Sequence, residues 1–327
     1  MITIASTCRH VARNVDAAEP ADTDSWEAWL QPDGGWGWSN AGLIVDGGES
    51  LLVDTLFDMS LTRDMLAAMK RAAPKAATKI DMLVNTHHNG DHCFGNACCE
   101  GAEIIAHTLA REAMANEGPE RLARLMDAAP QMGEAGAYLA RIFGPFDFAG
   151  VTHALPTTTF ETELTRTVGA KTVHIMHVGP AHTPGDALVH VPADKTVFTG
   201  DILFIEGHPI MWEGPVGNWI AACERIMAMD VETVVPGHGP ITDKRGVAAV
   251  RDYLAYVRDE AEKRFDAGLT AFDAARDIDM SDYDAWGDGE RFVVNVATLY
   301  REFSGEHTAG DIATLFGQMA ALAKPRA

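Results

Sequence analysis

The stretch Asn85–Asn96, "NTHHNGDHCFGN", packs three histidines and one aspartate into the six positions 87–92. It continues the apolar run "KIDMLVNT", which predicts a buried β-strand that ends where the histidine cluster begins. Imidazole and carboxylate groups at this density are typical of a metal site. Asn89 stands among them where a further ligand is expected. The role of this asparagine can be judged only together with the possible ligands elsewhere in the chain.

Three other apolar runs end in the same way. His182 follows "IMHVGPA", Asp201 follows "TVFTG", and His238 follows "VVPG". Strands that pack in one sandwich bring their ends to one edge, so these side chains can converge with His87, Asp91 and His92. Imidazole and carboxylate ligands suit Zn²⁺ and also non-haem iron or manganese. Four separated segments each place histidine or aspartate at the end of an apolar run, and together they predict a metal site.

The remaining segments alternate between strand and helix patterns. "AGLIVDGGESLLVDT" predicts a β-hairpin, "SLTRDMLAAMKR" a helix capped by Ser60, and "NWIAACERIMAM" a helix capped by Asn218. We predict a helical insertion at about 108–144 and a helical extension over 244–327, around a core at about 40–243 within a single domain, 1–327. Residues before about 35 are polar and irregular. The alternation predicts a layered α/β fold.

The composition excludes several classes of partner. The formal net charge is −21, and lysine and arginine form no basic stripe, so neither nucleic acid nor an anionic membrane surface is expected as a partner. The five cysteines follow no regular spacing, and the N-terminus lacks a signal-peptide pattern, which favours reduced thiols and a cytoplasmic location. The expected partners are a small-molecule substrate and a second copy of the chain in a homodimer.

Together, "HHNGDH", "AHTPGD", "FTGD" and "VPGHG" resemble the motifs of the metallo-β-lactamase superfamily over roughly residues 40–240. The resemblance implies an α/β fold, namely a four-layer αβ/βα sandwich, with metal ions at one edge of the sheets and usually hydrolase activity. It further implies a first metal site at His87, position 89 and His182. The second site would use Asp91, His92 and His238, and Asp201 would be shared by both.

Position 89 departs from the family pattern, because Asn89 replaces the second histidine. An amide oxygen is a weak, neutral zinc ligand, so we predict one Zn²⁺ per chain, held by Asp91, His92, Asp201 and His238, with a second ion at most weakly bound. His87, His182 and Asn89 would then orient the substrate or move protons. The metal set that we consider thus comprises Asp91, His92, Asp201, His238, His87 and His182.

The predicted chemistry is attack by a metal-activated water, with a neighbouring histidine or aspartate handling the proton. His182, His87 and Asp91 are the candidate catalytic residues. Trp36 and Trp38, in "GGWGWSN" ahead of the first core strand, are candidates for a flap that covers the substrate, together with Asn89 as a substrate contact. Trp26 and Trp29 add to an aromatic cluster that favours an apolar, neutral substrate. His208 is interpreted as a solvated loop residue.

The leading hypothesis is a metal-dependent hydrolase of a small, mainly apolar neutral molecule. The Asn89 variant resembles the branch of the superfamily that contains hydrolytic dehalogenases of chlorinated aromatics such as chlorothalonil. Lactone, ester or amide hydrolysis is the alternative chemistry. A mononuclear iron dioxygenase and a non-catalytic metabolite-binding relative are two further alternatives. The acidic chain argues against anionic glutathione conjugates and against nucleic acids as substrates.

Overall fold

The structure is a computed structural model that describes residues 26–31, 34–306 and 311–323; Cys8 lies outside these residues. Its first sheet has the strand order β1-β2-β3-β4-β5-β6. β1 to β3 pair antiparallel, and β3 to β6 pair parallel. The strands are β1 (Trp26–Trp29), β2 (Ala41–Asp46), β3 (Glu49–Val53), β4 (Met82–Val84), β5 (Glu103–His107) and β6 (Thr158–Phe160).

The second sheet has the order β11-β10-β9-β8-β7. β10 pairs parallel with β11, and the other neighbours pair antiparallel. The strands are β7 (Glu163–Val168), β8 (Lys171–His177), β9 (Ala187–Val191), β10 (Thr196–Phe198) and β11 (Thr233–Val235). In both sheets a parallel pair, β3 with β4 and β10 with β11, is connected through a helix, so the strand ends that carry Asp54 and Asp201 occupy corresponding places.

The two sheets pack face to face. Their shared core is apolar and contains Ile44, Val53, Val84 and Ile105 from the first sheet and Val173, Ile175, Val189 and Phe198 from the second. The opposite face of the first sheet packs against α1 (Met59–Ala72) through Met65 and Met69. The opposite face of the second sheet packs against α6 (Val216–Ala228) and α7 (Lys244–Asp266). This arrangement confirms the predicted αβ/βα sandwich.

Helices also form the additions to the sandwich. α2 (Gly90–Cys93) is a single turn within the histidine cluster. α3 (Thr108–Asn116), α4 (Pro119–Ala128) and α5 (Gly133–Phe143) lie in the region predicted as an insertion. α8 (Ala271–Asp277), α9 (Phe292–Ser304) and α10 (Ile312–Leu322) follow α7, and α10 packs against α5. Across the described ranges, every helix is too short or too polar to cross a lipid bilayer.

Three local predictions were wrong. α1 is capped by Asp58, whose carboxylate accepts the Leu61 N–H at 2.8 Å, and Ser60 lies inside the first turn. α6 begins at Val216 after Pro215, so the Asn218 side chain does not cap it and instead donates to the Pro180 carbonyl at 3.2 Å. The region before residue 35 is not irregular throughout, because Trp26–Trp29 pairs with β2.

Candidate metal centre

The four strand-end motifs converge on the carboxylate of Asp201. This residue lies in the turn after β10 and is 4% exposed. Four imidazole Nε2 atoms surround its oxygens, at 3.1 Å for His92, 3.4 Å for His182, 3.4 Å for His238 and 3.7 Å for His87. The Asp91 carboxylate completes the cluster, 3.2 Å from His238 Nε2 and 3.8 Å from His92 Nε2.

Asp54 orients two of these rings, His92 by a direct contact and His87 through Thr86. It ends β3 with a positive φ of 63°, a strained conformation for a non-glycine residue, and its carboxylate accepts the Thr86 N–H and O–H, both at 2.7 Å. It also lies 3.0 Å from His92 Nδ1. The Thr86 hydroxyl donates its single proton to Asp54. It can therefore only accept a hydrogen bond from His87 Nδ1, which lies 3.1 Å away. Both rings therefore carry a proton on Nδ1 and direct Nε2 toward the cluster.

Backbone carbonyls set the other two rings in the same way. His238 Nδ1 lies 3.1 Å from the Gly34 carbonyl, and His182 Nδ1 lies 2.6 Å from the Ile210 carbonyl. A carbonyl oxygen can only accept, so both Nδ1 atoms are donors. All four imidazoles thus share one arrangement, with Nδ1 bonded to an outer acceptor and Nε2 directed inward, which is how histidine ligands are held around a metal.

The burial and the charges of the cluster suit a divalent cation. Three of its buried atoms, His87 Nε2, His92 Nε2 and Asp201 Oδ1, form no hydrogen bond with any described residue. Burial alone would lower the pKa of His238, but the Asp201 and Asp91 carboxylates raise it to about 9. The same carboxylates outweigh burial at His92 and raise its pKa well above the ordinary value. The two carboxylates thus hold protons on the neighbouring imidazoles, and a divalent cation can take the place of those protons, so these residues fit a metal ion.

Two glycines allow the loops to approach this closely. A Cβ on Gly237, just before His238, would lie 2.0 Å from Asp201 Oδ1. Gly200 has a φ of +48°, and a Cβ there would lie 2.3 Å from Thr86 Oγ1. A side chain at either position would displace Asp201 or Thr86, which explains why glycine precedes Asp201 in "FTGD" and His238 in "VPGHG".

The structure brings together every residue predicted as a metal ligand. The ligand atoms form two sets, and within each set all atoms lie within 4.8 Å of one another. One set is His87, His92 and Asp201, and the other is Asp91, His92 and His238. His182 belongs to neither set: its Nε2 is 3.4 Å from Asp201 Oδ2 and 2.7 Å from Asn89 Oδ1. Sequence reasoning missed Thr86 and the carbonyl acceptors, because a threonine and a peptide group carry no motif of their own.

The predicted aromatic residues separate into two groups. Trp36 and Trp38 are half-buried and line a pocket of about 820 Å³. Trp26 and Trp29 lie in β1 and are 4% and 5% exposed, so their predicted place in a substrate pocket was wrong. His208 was also misjudged: it is 4% exposed, lines the same pocket and lies 3.1 Å from the Tyr253 hydroxyl.

Comparison with known proteins agrees with this geometry. The profile of the Metallo-beta-lactamase superfamily matches residues 34–238. A hydroxyacylglutathione hydrolase of Rhizobium meliloti is 27% identical over 221 residues, which are 64% of this chain and 68% of the relative. A beta-lactamase-like protein 2 homolog of Caenorhabditis elegans is 22% identical over 223 residues, which are 67% of this chain and 61% of that protein.

Solved structures show the same fold. A stereoselective inverting sec-alkylsulfatase from Pseudomonas sp. superimposes on 82% of this chain with a TM-score of 0.62 and 16% identity, and the chain spans about half of that enzyme, 48% of its length. A metallo-beta-lactamase from Pontibacter korlensis gives a TM-score of 0.53 at 16% identity, with 76% of this chain and 99% of that chain covered. With the superfamily profile matched across the residues that build the metal centre, this chain belongs to the metallo-β-lactamase superfamily and is a hydrolase.

Proposed function

We propose that the protein is a zinc-dependent hydrolase of a small, mainly apolar and neutral substrate, and that its reaction is hydrolytic dehalogenation of an activated aryl halide. One Zn²⁺ per chain would be held by Asp91, His92, Asp201 and His238. Hydrolysis of a lactone, ester or amide is the competing reaction. The observation that carries the proposal is the aromatic pocket whose wall includes Trp36 and Trp38, in the loop that contacts two of these ligands.

A single turn of the chain, residues 34–39, joins this pocket to the metal centre. The Gly34 carbonyl bonds His238, and the Ser39 hydroxyl donates to the Asp91 carbonyl at 2.5 Å. Between these two contacts, Trp36 and Trp38 form part of the pocket wall. The rest of the wall is rich in aromatic and apolar side chains, including Ile142, Ile278, Met280, Tyr283, Trp286 and Phe292. A pocket of about 820 Å³ with such a lining suits an aromatic ring.

The charges on the pocket wall favour a neutral substrate. Glu290 pairs with Arg141 at 3.7 Å, and Asp288 pairs with the buried Arg291 at 3.0 Å. The two remaining charged residues of the wall, Arg276 and Asp284, have opposite signs, so the wall carries little net charge. A glutathione conjugate of the kind named for the Rhizobium relative carries carboxylates, which a chain of net charge −21 would repel. We therefore do not carry the substrate of that relative over to this protein.

The reaction needs an activated water and a group that accepts its proton. A zinc ion bound there would supply an activated water, since Zn²⁺ lowers the pKa of a coordinated water to about 7. His87 is the best-placed proton acceptor, because Thr86 holds its Nδ1 and its Nε2 makes no hydrogen bond with the described part of the chain. Burial lowers its pKa well below the ordinary value, so the ring is neutral. Aryl substitution forms a C–O bond, the halide leaves with the bonding electron pair, and His87 accepts the proton of the water.

The test is to measure both products in parallel. The zinc-loaded protein is incubated with an aryl chloride activated by nitrile groups and with a panel of lactones and esters. We expect release of chloride and formation of a phenol, whereas lactone or ester cleavage would give a carboxylic acid. The metal-free protein and His238→Ala are the controls. Acid formation without chloride release would replace dehalogenation by the competing hydrolysis, and neither product above the controls would refute both.

A further inference from the structure

We propose that Asn89 closes the first metal position by occupying the Nε2 lone pair of His182 through a hydrogen bond. The asparagine would then act as a positioning residue that blocks a ligand, and not only as a ligand that is missing. This inference rests on the proposed one-metal hydrolase and names the device that keeps it at one metal. It starts from the contact of 2.7 Å between Asn89 Oδ1 and His182 Nε2.

The proton on His182 is located by its other nitrogen. Nδ1 lies 2.6 Å from the Ile210 carbonyl, which has no proton to give, so Nδ1 is the donor. A neutral ring then has only a lone pair at Nε2. Asn89 Oδ1, which lies 2.7 Å away, would repel that lone pair, whereas the NH₂ group of the same amide, turned by 180°, would donate to it. The two ends of a carboxamide have nearly the same shape, and hydrogen bonding decides which end faces the partner.

The lone pair is also occupied if the ring is charged. An imidazolium would carry a proton on Nε2 and donate it to the amide oxygen of Asn89, or more weakly to Asp201 Oδ2 at 3.4 Å. In either protonation state His182 offers no free electron pair to a cation. By contrast, the Nε2 atoms of His87 and His92 make no hydrogen bond with any described residue. Of the inward-facing rings, His182 is thus bonded where His87 and His92 are open.

The geometry around the pair makes this bond persistent. His182 is 1% exposed, and its ring packs edge-on against Trp219, with ring centroids 5.9 Å apart. Asn89 immediately precedes α2, the turn that carries Asp91 and His92. Because the His182 ring is buried and held at Nδ1, the ring has little conformational freedom left to lose when the hydrogen bond forms.

The experiment compares two explanations of Asn89 through Asn89→Ala. If Asn89 is a weak ligand, alanine removes a donor and the affinity for a second metal ion falls or stays the same. If Asn89 blocks His182, alanine frees the Nε2 lone pair to act with His87 and Asp201. We then expect the second zinc to bind about 10-fold more tightly than to the unaltered protein, because one hydrogen bond at Nε2 no longer has to be broken. Equilibrium dialysis with elemental analysis measures this affinity without reference to activity.

The matched control is Asn218→Ala, which removes an asparagine whose side chain donates to the Pro180 carbonyl in the same loop, and not to the His182 ring. Its second-site affinity should equal that of the unaltered protein. An unchanged or weaker second site in Asn89→Ala would overturn the proposal, as would an equal gain in Asn218→Ala. This result leaves the product assay untouched, so the two proposals can fail separately.

A second measurement needs no variant and covers the case in which Asn89→Ala does not fold. Long-range ¹H–¹⁵N spectra of the zinc-loaded protein report which nitrogen of each histidine carries a proton. We expect a proton on Nδ1 of His182 and no shift of its Nε2 toward a metal-bound value when a second equivalent of zinc is added. A neutral ring protonated on Nε2, or a metal-bound Nε2, would contradict the proposed bond.

Discussion

Replacement of Asp54 by asparagine tests how the metal centre is oriented. The carboxylate accepts three donors: the Thr86 N–H at 2.7 Å, the Thr86 hydroxyl at 2.7 Å and His92 Nδ1 at 3.0 Å. The first of these donors belongs to the backbone and cannot reverse, so the carbonyl end of the new amide must face it. The NH₂ end is then directed at His92 Nδ1 and at the threonine hydroxyl.

The Thr86 hydroxyl can rotate and accept a hydrogen bond from the new NH₂ group. His92 cannot adapt in this way, and both arrangements open to it are unfavourable. Its Nδ1–H either faces a donor, which leaves a buried group unsatisfied at a cost of about 1–3 kcal/mol, or its proton moves to Nε2. The second outcome removes the lone pair that faces Asp201 3.1 Å away. We therefore expect Asp54→Asn to bind zinc about 10- to 100-fold more weakly, which corresponds to roughly 1.4–2.7 kcal/mol.

The assay is competition for zinc against a chromophoric chelator, with urea unfolding of the metal-free protein to measure any loss of stability separately. Asp81→Asn is a suitable control, because Asp81 accepts the Ser50 N–H at 3.0 Å across the same two strands but at their opposite ends. Zinc affinity of Asp54→Asn within twofold of the unaltered protein, with the His92 proton still on Nδ1, would refute the role given to Asp54.

Three further results are expected. His238→Ala should lose zinc and activity together, whereas His182→Ala should keep its zinc through dialysis; loss of zinc from the second variant would restore a two-metal centre. Burial raises the pKa of Asp186 from 3.8 to about 7, so the folded protein retains a proton there that the unfolded chain releases. This contribution to the free energy of unfolding is complete below about pH 4 and is lost by about pH 7, so Asp186→Asn should flatten that part of the pH profile in urea unfolding; an unchanged profile would contradict this. Trp38→Ala should raise KM for an aromatic substrate by roughly tenfold at constant zinc content, and an equal effect from Trp26→Phe in the core would count against the pocket.

Part of the fold and of the metal centre could be read from the sequence because each signal is local. A short apolar run followed by glycine or proline and then by histidine or aspartate marks a strand and its end, as before His182, Asp201 and His238. Parallel strands then align such ends along one edge, which is why these residues converge. The hairpin Ala41–Val53 and the helices on both sides of the motifs follow from the same periodicity.

The caps and the aromatic residues needed the tertiary structure. Asp58 and Ser60 are both good capping residues, and only the position at which the chain leaves the sheet decides that Asp58 caps α1. Trp29 and Trp36 are equally apolar, yet Trp29 is buried under the first sheet while Trp36 lies beside Phe143 and Phe316 at the pocket. The partners of an aromatic ring come from distant segments, so the sequence alone could not assign them.

The sequence by itself therefore determined the class of fold, the acidic character of the chain and which side chains meet at the metal centre. Only the tertiary structure decided what each of those side chains is bonded to. Asn89 and His182 are 93 residues apart, and His238 and the Gly34 carbonyl are 204 apart, yet each pair is in hydrogen-bond contact. The ligand type is a property of the residue, whereas the direction of its lone pair is set by an acceptor brought close through packing, for which a one-dimensional pattern carries no signal.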